Sequence, residues 1–144
     1  MMDHDAIATR IPHSGSMCLL QRMDSHSDDH IRCSASSHRD PSNPLRLGGV
    51  LPAACGVEYA AQAMALHGAL AAPAGSAPTA GFLASVRSVR LRAPRLDDVA
   101  GDIVVSAQRL AGDTRQALYS YALHDEHGAL LVEGRATVIL NGVP

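Results

Sequence analysis

The carboxylate of Glu58 is isolated in the sequence, because residues 47–86 contain no other formally charged side chain. Its neighbours at helical spacing are apolar or uncharged. An ionised carboxylate is costly to bury on an apolar helix. Burial therefore favours the neutral acid, which can give or take a proton. Gln62 lies one turn further along the same helix face, so the two side chains form a short polar stripe. Alternatively, Glu58 reaches solvent at the beginning of the helix, where the helix dipole favours a negative charge.

General acid–base chemistry needs a second titratable group near this carboxyl. His38 is the best candidate, because it ends a predicted strand and opens the loop 39–49, which is rich in proline and glycine. A loop histidine without a chemical role is the alternative. His13 lies in a predicted turn and is a weaker candidate. So is His67, about two and a half helical turns beyond the acid, which we expect to bond to the last carbonyls of the helix.

Two other groups of side chains are weaker candidates. Residues 124–127 read His-Asp-Glu-His, which suggests metal ligands, but they lie in a predicted hairpin turn. A solvated turn is the simpler explanation, so we predict no metal site. Four arginines follow one predicted strand and its end: Arg87, Arg90, Arg92 and Arg95. They would form a solvated face or protect a sheet edge, or they would dock an acidic partner or a phosphate.

Length and composition indicate one folded domain over residues 1–144, with residues 1–10 as a loosely ordered lead. The chain is 47% hydrophobic and 18% charged, with a net charge of −2. This balance argues against nucleic-acid binding by phosphate neutralisation. The apolar stretch 50–70 contains Glu58 and Gln62, so we interpret it as a buried helix and not as a membrane span. Three cysteines without CxxC spacing, and no apolar leader, favour a reduced, cytoplasmic compartment.

Hydrophobic periodicity predicts an α+β arrangement, in which antiparallel strands surround one central helix. We expect a helix over 52–70, a flexible connector over 71–78, and strands over 17–22, 30–36, 80–92, 102–110, 116–124 and 129–140. The helix is apolar on nearly every side and must be covered on nearly every side. One six-stranded sheet covers part of it. A sheet from a partner subunit would help to cover the rest.

The sequence resembles 3-hydroxyacyl-[acyl-carrier-protein] dehydratases, and it is most similar to the dehydratase-like proteins of bacterial aryl-polyene pigment clusters. The similar segments are 11–23 (IPHSGSMCLLQRM), 51–64 (LPAACGVEYAAQAM), 81–105 (GFLASVRSVRLRAPRLDDVAGDIVV) and 132–140 (VEGRATVIL). Glu58 occupies the position of the family's catalytic acid, and Gln62 that of a glutamine one turn further on. Together, the order and spacing of these segments are fairly specific.

The resemblance implies a hotdog fold, a six-stranded antiparallel sheet wrapped around one long central helix, and a two-subunit unit with active sites between subunits. His38 would take a proton from C2 of the substrate, and Glu58 would protonate the leaving C3 hydroxyl. An N–H near Cys55 or Gly56 would polarise the thioester carbonyl, and Gln62 would help to bind substrate. The substrate would be carried on the phosphopantetheine of acyl carrier protein, without a metal or organic cofactor.

The loop after His38 departs from the family pattern. It reads HRDPSNPLRLGG, and 20 residues separate His38 from Glu58, several more than is usual in the family. Two other functions therefore stay open. The chain would be a non-catalytic hotdog subunit of a heterodimeric dehydratase, or a hotdog acyl thioesterase. Pairing as a homodimer or as a heterodimer with another hotdog subunit also stays open.

Overall fold

The computed structural model describes residues 1–11, 15–72, 82–113 and 115–139. Two helices and seven strands lie in this part of the chain. The helices are α1 (His4–Ala8) and α2 (Gly56–Ala71). The strands are β1 (Met2–Asp3), β2 (Arg22–His26), β3 (His30–Ala35), β4 (Phe82–Leu91), β5 (Ile103–Gly112), β6 (Gln116–His124) and β7 (Leu130–Ile139).

The strands form one antiparallel sheet in the order β1-β2-β3-β5-β6-β7-β4. The sheet has seven strands and not the predicted six, because Met2 and Asp3 pair with the beginning of β2. Residues of the N-terminal lead thus form β1 and α1. Asp3 caps α1 by accepting a hydrogen bond from the N–H of Ala6, and Ile7 is fully buried. A polar segment this short shows no periodicity, so these two elements were not predicted from the sequence.

The predicted strand over 17–22 is wrong. Residues Gly15–Met17 form a 3₁₀ turn, and the strand begins only at Arg22. Cys18, Leu19 and Leu20 are all buried in succession, which a half-buried strand with alternating faces does not allow. Helix α2 also begins later than predicted, because the residues just before it form a 3₁₀ turn. His13 and the connector from residue 73 lie outside the described residues.

Helix α2 packs against the inner face of the sheet, mainly on β3, β5 and β6. Small side chains allow this close approach. Gly56, at the beginning of α2, is buried, and a Cβ atom there would lie 3.0 Å from Cγ2 of Val132 and 3.1 Å from Cδ2 of Leu123. A larger residue at this position would push the helix away from β6 and β7. No helix among the described residues is long and apolar enough to cross a membrane.

One apolar surface stays uncovered. It lies on β4, at the edge of the sheet, and its members are 37% to 49% exposed. We call it the β4 apolar strip, and it consists of Leu83, Val86, Val89 and Leu91. Leu83, Val86 and Leu91 pair in register with buried residues of β7, so they point to the inner face of the sheet. The helix of this chain therefore leaves part of its own sheet open, as expected for a fold completed by a second subunit.

His67 does not bond to the last carbonyls of α2 as predicted. Its ring is buried, with Nδ1 2.7 Å from the Tyr119 hydroxyl and Nε2 2.9 Å from the Ser27 carbonyl. A carbonyl only accepts, so Nε2 carries the hydrogen and Nδ1 accepts from the phenol. Burial lowers the pKa of His67 and raises the pKa of Tyr119 to about 12. The pair therefore stays neutral and joins α2 to β6 and to the turn after β2.

This neutral histidine predicts a loss of stability in acid. The unfolded chain binds a proton at His67 near pH 6.5, whereas the folded chain resists it, so the free energy of unfolding falls as the pH drops below about 6.5. His38 contributes with the same sign, because burial also lowers its pKa. We expect the midpoint of urea denaturation to decrease when the pH is lowered from about 7.5 to about 5.5. The decrease should be smaller in His67→Gln. An equal fall in the two proteins would contradict this role.

Candidate active site

Glu58 lies in the first turn of α2 and is partly exposed, so it is neither fully buried nor fully solvated. The predicted polar stripe with Gln62 is present. The buried amide of Gln62 has its oxygen 2.8 Å from the Leu19 N–H, and its nitrogen 2.7 Å from the Met17 carbonyl. These two peptide groups determine which end of the amide is the donor. The Gln62 nitrogen therefore also faces Glu58, and it donates to Oε1 at 3.4 Å.

The partly exposed carboxyl of Glu58 is chemically able to act as a general acid.

His38 lies in a 3₁₀ turn (Ser37–Arg39) directly after β3, and its side chain is fully buried. Nε2 is 3.0 Å from the Val99 carbonyl, so Nε2 carries the hydrogen in the neutral ring. Nδ1 is buried and has no hydrogen-bond partner among the described residues. Burial lowers the pKa of His38, so the ring is neutral near pH 7. The result is an imidazole of one tautomer with a lone pair on Nδ1, which is the form that a general base requires.

The hydrogen bonds attach these two side chains to different parts of the fold. His38 bonds to Val99, in the segment between β4 and β5, and Glu58 bonds to Gln62 one turn further along α2. The sequence did not predict that Leu19 and Val99 help to position these side chains. Both act through main-chain groups, which every residue carries, so no side-chain pattern marks them.

Cys55 and Gly56 lie where the sequence places them, at the beginning of α2. The N–H of Cys55 donates to the Pro52 carbonyl at 3.0 Å, and the N–H of Gly56 donates to the Ala53 carbonyl. A substrate carbonyl would therefore compete with these acceptors. Burial raises the pKa of the Cys55 thiol, so it is neutral near pH 7. A role in substrate binding for these two residues stays a prediction.

The weaker candidates have structural explanations. In the turn 124–127, Oδ1 of Asp125 accepts from the N–H groups of His127 and Ala129, both at 2.9 Å. Within the described ranges, no group of three or more His, Cys, Asp or Glu side chains is arranged to hold a metal ion. Arg95 bonds to Asp97, and that carboxylate accepts the Leu51 N–H before α2. The Arg95 guanidinium holds the pKa of Asp97 well below its usual range.

A family model described as ApeP dehydratase matches residues 5–141. The chain belongs to the ApeP-like family. The resemblance to dehydratases drawn from the sequence is therefore confirmed at the level of the family. The comparison with curated proteins gave no match.

Solved structures share the fold of this ApeP-like chain. The dehydratase heterocomplex ApeI:P from Xenorhabdus doucetiae matches with a TM-score of 0.84 and 24% identity, over 94% of this chain and 91% of that chain. Thioesterase HI1161 from Haemophilus influenzae matches with a TM-score of 0.68 and 14% identity, over 96% and 90%. AziG from S. sahachiroi matches with a TM-score of 0.64 and 15% identity, over 88% and 94%. The hotdog fold is confirmed, with seven strands in place of six.

The Gln62 contacts predict a large effect on stability. In Gln62→Ala, the buried N–H of Leu19 and the carbonyl of Met17 lose their partner, so we expect a loss of about 2–4 kcal/mol in the free energy of unfolding. Gln108 is exposed on β5, and Gln108→Ala is the matched control, with an expected change of less than about 0.5 kcal/mol. Urea denaturation of the three proteins measures both values. A similar stability for both variants would show that the Gln62 contacts contribute little.

Proposed function

We propose that this ApeP-like protein removes water from a 3-hydroxyacyl thioester carried on the phosphopantetheine of acyl carrier protein, and that the product is a trans-2-enoyl thioester. The observation that carries the proposal is the buried neutral imidazole of His38, whose Nε2–H is held by the Val99 carbonyl and whose Nδ1 keeps its lone pair. Membership in a dehydratase family supports the same reaction. The product would serve fatty-acid or polyene-type biosynthesis in the cytoplasm.

In the proposed reaction, Nδ1 of His38 takes the proton from C2, which the adjacent thioester makes acidic. The electron pair of the broken C–H bond forms the C2–C3 double bond while the C3–O bond breaks. The carboxyl of Glu58 gives its proton to the departing hydroxyl, which leaves as water. Transfer of the new His38 proton to Glu58, directly or through water, restores both groups. These steps need only two side chains, so we propose no metal or organic cofactor.

We propose that the active unit contains two hotdog subunits. The β4 apolar strip supports this proposal, because an apolar edge strand left open in one chain is covered by pairing with another chain. The similar solved structure is a heterocomplex, so a heterodimer is the arrangement we favour. In a homodimer, His38 of one copy would act with Glu58 of the other copy, whereas in a heterodimer His38 and Glu58 would each act with a group of the other hotdog subunit.

A second candidate is a non-catalytic subunit that stabilises an active hotdog partner. The full burial of His38 favours it, because substrate reaches this ring only if the neighbouring structure moves. A thioesterase is the third candidate, since thioesterase HI1161 shares the fold. The three candidates differ in their products.

Intact-mass spectrometry of a 3-hydroxyacyl carrier protein tests the proposal. We expect loss of one water with the protein alone or with a co-expressed hotdog subunit. In Glu58→Gln, the neutral amide keeps the shape but carries no acidic proton, so the rate should fall by about 10²–10⁴. The rate in His38→Gln should fall by a similar factor.

The other outcomes identify the alternatives. Activity that needs a partner and survives both substitutions would overturn the catalytic role and support the non-catalytic subunit. Release of a free acid would support a thioesterase.

A charged side chain introduced into β4 tests whether subunits pair through this strand. Val86→Asp places a carboxylate within the β4 apolar strip, so the subunit mass measured by light scattering should shift from dimer towards monomer. Leu47 is 73% exposed in the loop after His38, and Leu47→Asp is the matched control that should leave the mass unchanged. A dimer that persists in Val86→Asp would place the subunit interface elsewhere.

A further inference from the structure

A buried polar cluster lies beneath the loop that carries His38. We call it the Tyr59 cluster, and it consists of Tyr59, Ser37 and Asn43. The Tyr59 side chain is fully buried, and its hydroxyl oxygen is 2.8 Å from Oγ of Ser37 and 3.1 Å from Nδ2 of Asn43. Tyr59 follows Glu58 directly in α2, whereas the other two residues belong to the loop region. The cluster therefore connects the helix of the proposed acid to the loop of the proposed base.

The hydrogen bonds in this cluster have one direction. Ser37 donates its single hydroxyl hydrogen to the Leu19 carbonyl at 2.8 Å, so the Tyr59 hydroxyl must donate to Ser37. The phenol oxygen in turn accepts from Asn43. Burial raises the pKa of Tyr59, so the phenol keeps its hydrogen. Bonds aligned in this way strengthen one another.

The cluster holds the main chain on both sides of His38. Asn43 also donates to the Ser37 carbonyl at 2.8 Å, which belongs to the peptide bond before His38. Arg46 donates to the His38 carbonyl at 3.0 Å. The Oδ1 atom of Asn43 accepts from the N–H of Leu45 at 2.9 Å. The long loop is therefore closed on itself around His38, and Tyr59 is its hydrogen-bonded attachment to α2.

Leu19 links the cluster to the proposed acid. Its carbonyl accepts from Ser37, and its N–H donates to Gln62, whose amide donates to Glu58. Hydrogen bonds thus connect both the loop of His38 and the carboxyl of Glu58 to Leu19. The segment that contains Leu19 is buried between them.

We propose that Tyr59 is a positioning residue, whose hydroxyl holds the loop of His38 in register with α2. The inference rests on the proposed function, in which His38 is the base, and it deepens that function by explaining how a loop longer than the family pattern still places the ring. The Nε2–H bond to Val99 and the burial of Nδ1 both depend on the position of this loop. Loss of the hydroxyl should therefore loosen His38 without emptying the core.

Tyr59→Phe tests this role, because it removes the hydroxyl and keeps the ring. Tyr119→Phe is the matched control, since it removes another buried, hydrogen-bonded hydroxyl that contacts His67 and not the loop of His38. Tyr121→Phe is a second control, because its buried hydroxyl has no partner among the described residues. Arg39, Asp102 and Arg46, the charged groups near His38, are unchanged in all three variants. Ser37→Ala breaks the same chain of hydrogen bonds from the loop side and should act like Tyr59→Phe.

The first readout is the NMR titration of His38, with its resonance assigned by its loss in His38→Gln. We expect the pKa of His38 to rise towards its ordinary value in Tyr59→Phe and Ser37→Ala, and to stay unchanged in both control variants. The second readout is kinetic, on the assembly that shows activity. We expect kcat to fall by about 10- to 100-fold in Tyr59→Phe with KM changed less than about twofold.

An unchanged His38 titration in Tyr59→Phe would overturn the proposal. So would an equal fall of kcat in Tyr119→Phe, because that result would indicate general destabilisation. A wild-type assembly without dehydratase activity would contradict the proposed function instead. In that case the titration still decides whether Tyr59 positions His38.

Discussion

The arrangement of the site depends on the side-chain amide of Gln62. Its buried oxygen and nitrogen pair with the N–H of Leu19 and the carbonyl of Met17. These two residues lie in the segment before β2, which is not part of the sheet. Buried peptide groups must find partners, and here a helix side chain takes the place of a neighbouring strand. The same amide then presents its nitrogen to Glu58. One polar side chain thus joins the packing of the N-terminal segment to the carboxyl group of the proposed acid.

The two buried histidines have similar burial but different hydrogen bonding. Burial lowers the pKa of both rings, and in both Nε2 donates to a main-chain carbonyl. The difference is at Nδ1. In His67 this atom accepts from Tyr119, so the ring is fully satisfied and structural. In His38 it has no partner in the described part of the chain, as the proposed base requires.

The β4 apolar strip connects the fold to assembly. Helix α2 is rich in alanine and lies close to the sheet, as the tight contact of Gly56 with Val132 shows. The helix packs mainly on β3, β5 and β6, so the inner face of the edge strand β4 is left open. This open apolar surface is the one proposed to contact a second hotdog subunit.

The features of this protein that depend on short-range spacing could be predicted from the sequence. The alternation over the last four strands and the apolar run around Glu58 identified the strands and the central helix, and the spacing of four residues placed Gln62 beside Glu58. Periodicity did not identify β1 or the buried turn before β2. Their conformation depends on the pairing of β1 with β2 and on hydrogen bonds from the side chains of Asp3 and Gln62.

The hydrogen bonding of the two histidines depends on contacts that form only in the folded chain. The carbonyls that orient them belong to Val99 and Ser27, 61 and 40 residues away along the chain. Every residue carries such a carbonyl, so nothing in the side-chain sequence distinguishes these two. The folded chain selects them by bringing distant backbone groups into contact with buried rings, and that contact determines the tautomer and the charge.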